Sequence, residues 1–115
     1  MTAPTIDPAT FEALQQTTGE EFVAELVATF LAEAPVMLAA LRAALDARDA
    51  AAFRRAAHSL KSNANTFGAL TLGAMARDLE LSAQTPAFET SLGPVNALEQ
   101  EYARAAAALA ELTRA

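Results

Sequence analysis

The stretch FRRAAHSLKSNANTF, residues 53–67, decides the fold because its apolar and polar residues separate when it is wound as an α-helix. At about 100° per residue, one side of this helix is apolar and collects Phe53, Ala56, Ala57, Leu60, Ala64 and Phe67. The other side is polar and collects Arg54, His58, Lys61, Ser62 and Asn65. We therefore predict an amphipathic helix that buries its apolar side in a core and presents its polar side to solvent.

His58 is the one histidine of the chain, and its neighbours narrow its role. A metal site is unfavourable because the chain has no second histidine and no cysteine, and because the nearby charges are cationic. Lys61 lies about one helical turn after His58, and Arg54 lies one turn before it. An imidazole on a polar face, with cations a turn away, suits a site that meets phosphate from outside.

The composition limits the class of protein. The chain has 115 residues, which fits one domain, and 53% of them are hydrophobic, which is ample for a core. Small numbers of glycine, proline and large aromatic residues favour helix-on-helix packing. The net charge of −6 and the pI of about 4.6 disfavour nucleic-acid binding, which needs Lys and Arg to neutralise phosphates. The absence of cysteine excludes disulfides and thiol catalysis.

We expect a cytoplasmic protein with no membrane segment. Residues 1–5 lack the cationic and apolar regions of a secretory signal, and no stretch approaches ~20 uninterrupted apolar residues. Residues 1–6 are predicted to form a flexible lead, and residues 7–115 a single helical domain. The start at Met1 and the short flanks favour a complete small protein.

Capping residues predict where the first two helices begin. Asp7 and Pro8 start a short helix that ends near Gln16, because the carboxylate can cap it and proline suits its first position. Thr18 and Glu21 have the spacing of a capping box, which would open a long second helix.

The second helix is predicted to run to about Arg48. Pro35 falls inside it and removes one backbone hydrogen bond. Because Pro35 projects away from the apolar stripe, we expect a kink here, although a break into two helices is possible. The stripe is wider than one buried seam needs. One of its flanks, Phe22 with Leu26 or Val27 with Leu31, is therefore a candidate for an exposed apolar patch.

The rest of the chain alternates helical patterns with short breaks. Residues 46–49 form a polar turn into the His58 helix, which ends near Phe67. A helical pattern follows over residues 69–85, a loop over 85–90, and a last helix from about Ser91. The predicted fold is all-α: an antiparallel four-helix bundle with a short extra N-terminal helix.

The motif around His58 resembles the histidine-containing phosphotransfer (HPt) domain of phosphorelay signalling. The matching residues are Ala57-His58-Ser59-Leu60-Lys61-Ser62-Asn63, Gly68-Ala69, Leu72 and Leu79-Glu80. They span about a fifth of the chain, and the predicted helices extend the agreement over nearly all of it. One departure concerns Ser62, which stands where the family usually has glycine. Serine is small enough to keep the imidazole accessible, and its hydroxyl can bond a phosphoryl oxygen.

The resemblance implies a role for each candidate site residue. His58 would be the phosphoacceptor, attacking phosphorus through its outward ring nitrogen. Glu80 would orient the other nitrogen from a position where the family often has glutamine. Lys61 would neutralise the phosphoryl oxygens. The candidate binding residues are Ser62, Asn65, Arg54 and Gly68.

Structural roles remain open for several of these residues. Arg54 and Arg55 can pair with acidic residues at the surface, and Gly68 can mark a helix junction. Glu80 can pair with Arg77 or Gln84 on its own helix.

The resemblance also implies the partners. The sequence contains no nucleotide-binding glycine loop and no acidic triplet for Mg²⁺. The receiver domain of a hybrid histidine kinase would supply the phosphoaspartate and Mg²⁺, and a response regulator would take the phosphoryl group. The chain would then be a monomeric carrier without a bound cofactor or catalytic machinery of its own, and not an enzyme. Two alternatives remain: a non-transferring module that inhibits a kinase or receiver, and a structural bundle or excised kinase domain.

Overall fold

The computed structural model describes residues 5–114, which form five α-helices and one 3₁₀ helix without a strand. The α-helices are α1 (Pro8–Thr18), α2 (Glu20–Asp46), α3 (Ala50–Thr66), α4 (Leu70–Ser82) and α5 (Leu92–Leu112), and the 3₁₀ helix spans Pro86–Thr90. The all-α prediction is confirmed. Residues 1–4 of the predicted lead lie outside the described residues. Ile6, also assigned to that lead, is instead buried in the core.

Aspartate side chains cap the N-termini of α1 and α3. Asp7 accepts a hydrogen bond from the Thr10 amide at 3.1 Å, and Pro8 takes the first position of α1, as predicted. Asp49 accepts from the Ala52 amide at 3.0 Å at the start of α3. These bonds satisfy amides that have no partner within the helix.

The predicted capping box at the start of α2 is wrong. Thr18 is the last residue of α1, and its hydroxyl donates to the Leu14 carbonyl at 2.8 Å. Gly19, with φ of 90°, separates the two helices, and α2 begins without a side-chain cap. Because α1 continues two residues beyond the predicted end at Gln16, Thr18 is not free to cap the next helix.

Helix α2 is continuous through Pro35, so the chain does not break into two helices there. Pro35 is exposed, as its position away from the apolar stripe predicts. The helix ends at Asp46, two residues before the predicted end. Arg48 has φ of 56°, a left-handed conformation that cannot continue a helix.

The apolar residues of α2 fall into a set buried in the core and a more exposed flank. By length and mean hydropathy, 1.7 over its most apolar window, it meets the criteria for a membrane span, which core helices of soluble proteins also meet. Seven of its residues are buried in the core: Val23, Val27, Phe30, Ala34, Leu41, Ala44 and Leu45. Of the predicted flanks, Val27 is buried, Leu26 and Leu31 are partly buried, and Phe22 is 50% exposed. The candidate for an exposed flank is therefore the Phe22 side.

The core lies between the four longer helices, α2 to α5. Each of them packs on two of the other three. Helix α3 packs on α2 and α4, and α5 packs on the same two helices, while α1 covers α2 and α3. Phe30 links three elements, because its ring lies 5.2 Å from that of Phe67 and 6.1 Å from that of Tyr102. The largest fully buried side chains include Phe53, Leu41 and Leu60.

The predicted loop over residues 85–90 contains the 3₁₀ helix. The Thr85 hydroxyl accepts a hydrogen bond from the Ala87 amide at 3.2 Å, which caps this turn. Phe88 is buried, with its ring 5.1 Å from that of Phe53. A single apolar anchor therefore orders a segment whose composition is typical of a loop.

Candidate functional site

Burial of one face of α3 fixes the position of His58. The buried residues of this helix are Phe53, Ala57, Leu60 and Ala64, as the helical periodicity predicts. His58 lies on the opposite face, and its side chain is 58% exposed. The imidazole is therefore open to a reactant from solvent, while the helix that carries it is anchored in the core.

Glu80 of α4 binds both His58 and Lys61. Its Oε2 lies 2.7 Å from His58 Nδ1, and its Oε1 accepts a hydrogen bond from Lys61 Nζ at 2.8 Å. Because an ionised carboxylate can only accept, the neutral imidazole that makes this bond has its proton on Nδ1 and its lone pair on Nε2. The exposed ring thus presents its nucleophilic nitrogen away from Glu80.

Two cationic or polar partners keep Glu80 ionised. The hydrogen bond from Lys61 is the main cause of the lowering of the Glu80 pKa below its ordinary value of 4.5. Partial burial acts in the opposite direction, and the hydrogen bond with His58 adds to the lowering. The Glu80 side chain is 15% exposed. The carboxylate is therefore charged near neutral pH and can accept a hydrogen bond from the imidazole N–H.

Arg54 and Ser62 lie beside this group of residues. Arg54 is exposed and lines a surface depression together with His58 and Glu80. Ser62 is exposed one turn after His58, and its carbonyl accepts from the Thr66 hydroxyl at 2.9 Å. Both residues are exposed on α3 within about one helical turn of His58.

Asn65 is turned toward α4 and away from His58. Its side-chain amide lies so close to the backbone of Gly73 that a Cβ at that position would overlap Asn65 Oδ1. Its seven-residue separation from His58 amounts to about 10 Å along the helix. Asn65 therefore occupies the α3–α4 contact.

Gly68 is not part of the site, and its candidate binding role is not supported by its position. It lies ten residues beyond His58, about 15 Å along the helix direction. Its φ is 85°, and its carbonyl accepts a hydrogen bond from the Asp7 amide at 2.7 Å. A Cβ here would lie 2.9 Å from the Asp7 carbonyl oxygen. Gly68 therefore permits the junction between α3, α4 and the start of α1.

Arg77 lies beside the site, whereas its spacing on α4 predicts it only as a possible partner of Glu80. It lines a depression between α3 and α4 together with Arg54, Lys61 and Glu80. The available signal was helical spacing, because Arg77 precedes Glu80 by three residues and so shares its face of α4.

The site contains no evident set of metal ligands. Over residues 5–114, no three His, Asp or Glu side chains gather closely enough to hold a metal ion. The carboxylate nearest His58 already serves Lys61 and the imidazole. The side chains in place can orient an imidazole and supply cations to an anionic reactant.

Comparison with known proteins defines the class. The family model of the Hpt domain matches residues 25–108, so the chain belongs to the Hpt family, as its motif predicts. The crystal structure of histidine-containing phosphotransfer protein B (HptB) from Pseudomonas aeruginosa PAO1 is similar, with a TM-score of 0.90 and 29% identity. The match covers 97% of this chain and 96% of that one. Curated protein sequences give no match. The family and the structural match support a histidine phosphotransfer role in a phosphorelay.

Proposed function

We propose that this chain carries a phosphoryl group on His58 between two partner proteins. The group would come from the aspartate of a receiver domain in a hybrid histidine kinase and would pass to the aspartate of a response regulator. The observation that carries this proposal is the hydrogen bond that His58 Nδ1 donates to Glu80, made while the His58 side chain is 58% exposed. In the neutral imidazole this arrangement puts the lone pair on Nε2 of an exposed ring, which a phosphoacceptor needs.

The transfer step follows from this proton arrangement. The Nε2 lone pair attacks the phosphorus of the partner's acyl phosphate, an N–P bond forms, and the P–O bond to the aspartate breaks. The aspartate leaves as a carboxylate. The imidazole gains positive charge as it becomes N-phosphorylated, and Glu80 at 2.7 Å from Nδ1 stabilises that charge. The same step in the opposite direction transfers the phosphoryl group from Nε2 to the aspartate of the response regulator.

Lys61 and Ser62 assist by position. Lys61 Nζ gives one hydrogen bond to Glu80, and an ammonium has three donors, so two remain for phosphoryl oxygens. Ser62 occupies the position of the usual family glycine one turn from His58. Its small side chain leaves room for the partner's phosphorylated carboxylate and adds a hydroxyl donor.

The partners supply what this chain does not. We propose that the receiver domain provides Mg²⁺ and the phosphoaspartate. We also propose that this chain binds no cofactor, nucleic acid or membrane, and that it acts as a cytoplasmic monomer without enzyme activity of its own.

The helix contacts favour an antiparallel four-helix bundle, made of α2 to α5, with α1 as the short extra helix.

An inhibitory module that binds a kinase or receiver without transfer is the second candidate. Ser62 in place of glycine is the observation that favours it. A His58→Gln variant separates the two functions, because an inhibitor keeps working without the imidazole and a carrier stops.

Intact-protein mass after mixing with phosphorylated receiver domains tests the proposal. We expect a single phosphoryl adduct on the wild type that is labile in acid and stable in alkali. The His58→Gln variant should form none. Lack of an adduct with several competent receivers would favour the inhibitory module.

A further inference from the structure

Two adjoining depressions flank His58, and their cationic side chains form one surface. One depression is lined by Arg54, Arg55, His58, Ser59 and Glu80. The other is lined by Arg54, Lys61, Arg77, Glu80, Leu81 and Gln84. The two depressions share Arg54 and Glu80 and are therefore neighbours. We call the four cations, Arg54, Arg55, Lys61 and Arg77, the cationic surface.

The cationic surface concentrates positive charge in an acidic protein. It holds four of the 8 Lys and Arg residues, while only one of the 14 Asp and Glu residues lines the same depressions. The formal charge of this lining is therefore +3 with His58 neutral. The remaining four cations and thirteen carboxylates of the chain carry −9, which together with +3 gives the net charge of −6.

Ion pairing shows the same asymmetry. The four arginines away from His58 each have a glutamate partner: Arg42 with Glu99 at 2.6 Å, Arg48 with Glu89 at 3.6 Å, Arg104 with Glu101 at 2.7 Å and Arg114 with Glu111 at 3.6 Å. Within residues 5–114, no carboxylate oxygen lies within 4.0 Å of a side-chain nitrogen of Arg54, Arg55 or Arg77. Three cations next to the proposed phosphoacceptor thus keep their charge available to a partner.

We propose that Arg54, Arg55 and Arg77 form an electrostatic docking surface for an acidic protein face, that of the partner that presents the phosphoaspartate to His58. This inference rests on the proposed function and names the surface chemistry of the partner. Lys61 already donates to Glu80 and is assigned to the phosphoryl group, whereas the three arginines are spread over the lining of both depressions. A surface broader than one phosphoryl group fits a macromolecule. The negative charge of the rest of the chain disfavours nucleic acid and anionic lipid.

The expected consequence is faster association with the partner. Complementary charges steer encounter and raise the association rate by about tenfold or more at low salt, and salt screens this effect. The arginines do not touch His58 Nδ1, which Glu80 holds. The chemical step after docking should therefore depend on them far less than the encounter does.

The test compares two double variants with equal change in net charge. Arg55→Gln/Arg77→Gln removes two cations of the docking surface, and Arg48→Gln/Arg114→Gln removes two exposed cations elsewhere. The protein donors are purified receiver domains from the same organism, phosphorylated with acetyl phosphate and held at low concentration. The small donor is phosphoramidate, from which His58 takes the phosphoryl group as the P–N bond breaks and ammonia leaves.

We expect the docking variant to lose about tenfold in the rate of transfer from receiver domains at low salt, and to approach the wild type at high salt. The control variant should stay close to the wild type. With phosphoramidate, the docking variant should lose far less, because this donor needs no docking surface.

Three results would overturn the inference. Equal losses in the two double variants would assign the effect to overall charge. Equal losses with receiver domains and phosphoramidate would place the arginines in the chemical step. If phosphoramidate phosphorylates wild-type His58 and no receiver domain does, the proposed function itself fails and the docking surface fails with it.

Discussion

At the scale of single residues, Glu80 determines which ring nitrogen of neutral His58 carries the proton. A glutamine amide at this position can donate or accept, whereas an ionised carboxylate only accepts. The 2.7 Å hydrogen bond from His58 Nδ1 to Glu80 Oε2 therefore favours one tautomer of the neutral imidazole, and Glu80 Oε1 accepts from Lys61 Nζ at 2.8 Å. One carboxylate thus positions both the imidazole of His58 and the ammonium group of Lys61.

The first prediction concerns the pH dependence of stability in Glu80→Gln. Because the Glu80 pKa lies below 4.5 in the folded protein, chiefly through the Lys61 hydrogen bond, the folded state binds fewer protons than the unfolded state just below that pH. The contribution of Glu80 to stability is therefore complete above 4.5 and is lost as pH falls through the folded pKa. We expect the variant to be less stable by about 1 kcal/mol near neutral pH and to approach the wild type in acid.

Urea unfolding across this pH range measures that difference. Glu111→Gln is the matched control, since Glu111 is 70% exposed and pairs only with the exposed Arg114 among the described residues. A difference between wild type and Glu80→Gln that stays constant from neutral to acidic pH would contradict the assignment.

The sequence predicts these residues to different degrees. Helical spacing alone places Lys61 beside His58. Glu80 is 22 residues from His58, so only the family resemblance pointed to it. The spacing within α4 placed Arg77 near Glu80, but its position beside Arg54 depends on how α3 packs on α4, which one-dimensional periodicity does not specify.

At the scale of elements, glycine conformation controls how the helices join. Gly68 adopts a left-handed φ of 85° directly after α3 and lies against the backbone of Asp7. Gly19 adopts φ of 90° between α1 and α2, but a Cβ added there would meet nothing within 4 Å. Only Gly68 therefore meets both a conformational and a steric requirement.

The second prediction compares Gly68→Ala with Gly93→Ala. Alanine at position 68 must take a left-handed conformation and press on the Asp7 carbonyl, so we expect a loss of about 2 kcal/mol or more in unfolding free energy. Gly93 lies in the first turn of α5 with nothing within 4 Å of a new Cβ. Alanine there should be neutral or stabilising by up to about 1 kcal/mol.

Denaturant unfolding of both variants decides this point. Equal stability of the two would show that the Gly68 junction does not constrain the fold. Phosphoryl acceptance by the folded Gly68→Ala protein should match the wild type, because the junction is about 15 Å from His58 along the helix direction.

Helix boundaries show why sequence patterns fall short at this scale. The carboxylate cap at Asp7 was predictable because side chain and helix are neighbours in the chain. The supposed cap at Thr18 failed because α1 competes for the same residue. The 3₁₀ helix was missed because its anchor, Phe88, is buried through tertiary contact with Phe53.

At the scale of the whole molecule, the negative net charge and the distribution of exposed apolar residues favour a monomer. The chain carries −6. Its exposed large apolar side chains are divided among α2, α4 and α5. On α2, Phe22 and Val36 are 50% and 69% exposed, and their separation is about 21 Å along the helix. Isolated apolar residues of this kind are normal on monomers.

The third prediction is therefore a monomer. Sedimentation equilibrium at micromolar concentration should give one species of 12.0 kDa, both at low and at high salt. Like charges repel copies of this chain at low salt, and Phe22 and Val36 lie too far apart on α2 to form one apolar face when salt screens the charge. A dimer that dissociates in Phe22→Ser would contradict this expectation and identify the exposed side of α2 as its interface.

The nitrogen of His58 that carries the phosphoryl group tests the central claim most directly. Long-range ¹H–¹⁵N correlation spectra of labelled protein distinguish Nδ1 from Nε2 before and after phosphorylation. We predict that Nδ1 is protonated in the resting protein and that the N–P bond forms at Nε2, the nitrogen that Glu80 leaves free. A phosphoryl group on Nδ1, or on any residue other than His58, would contradict the account.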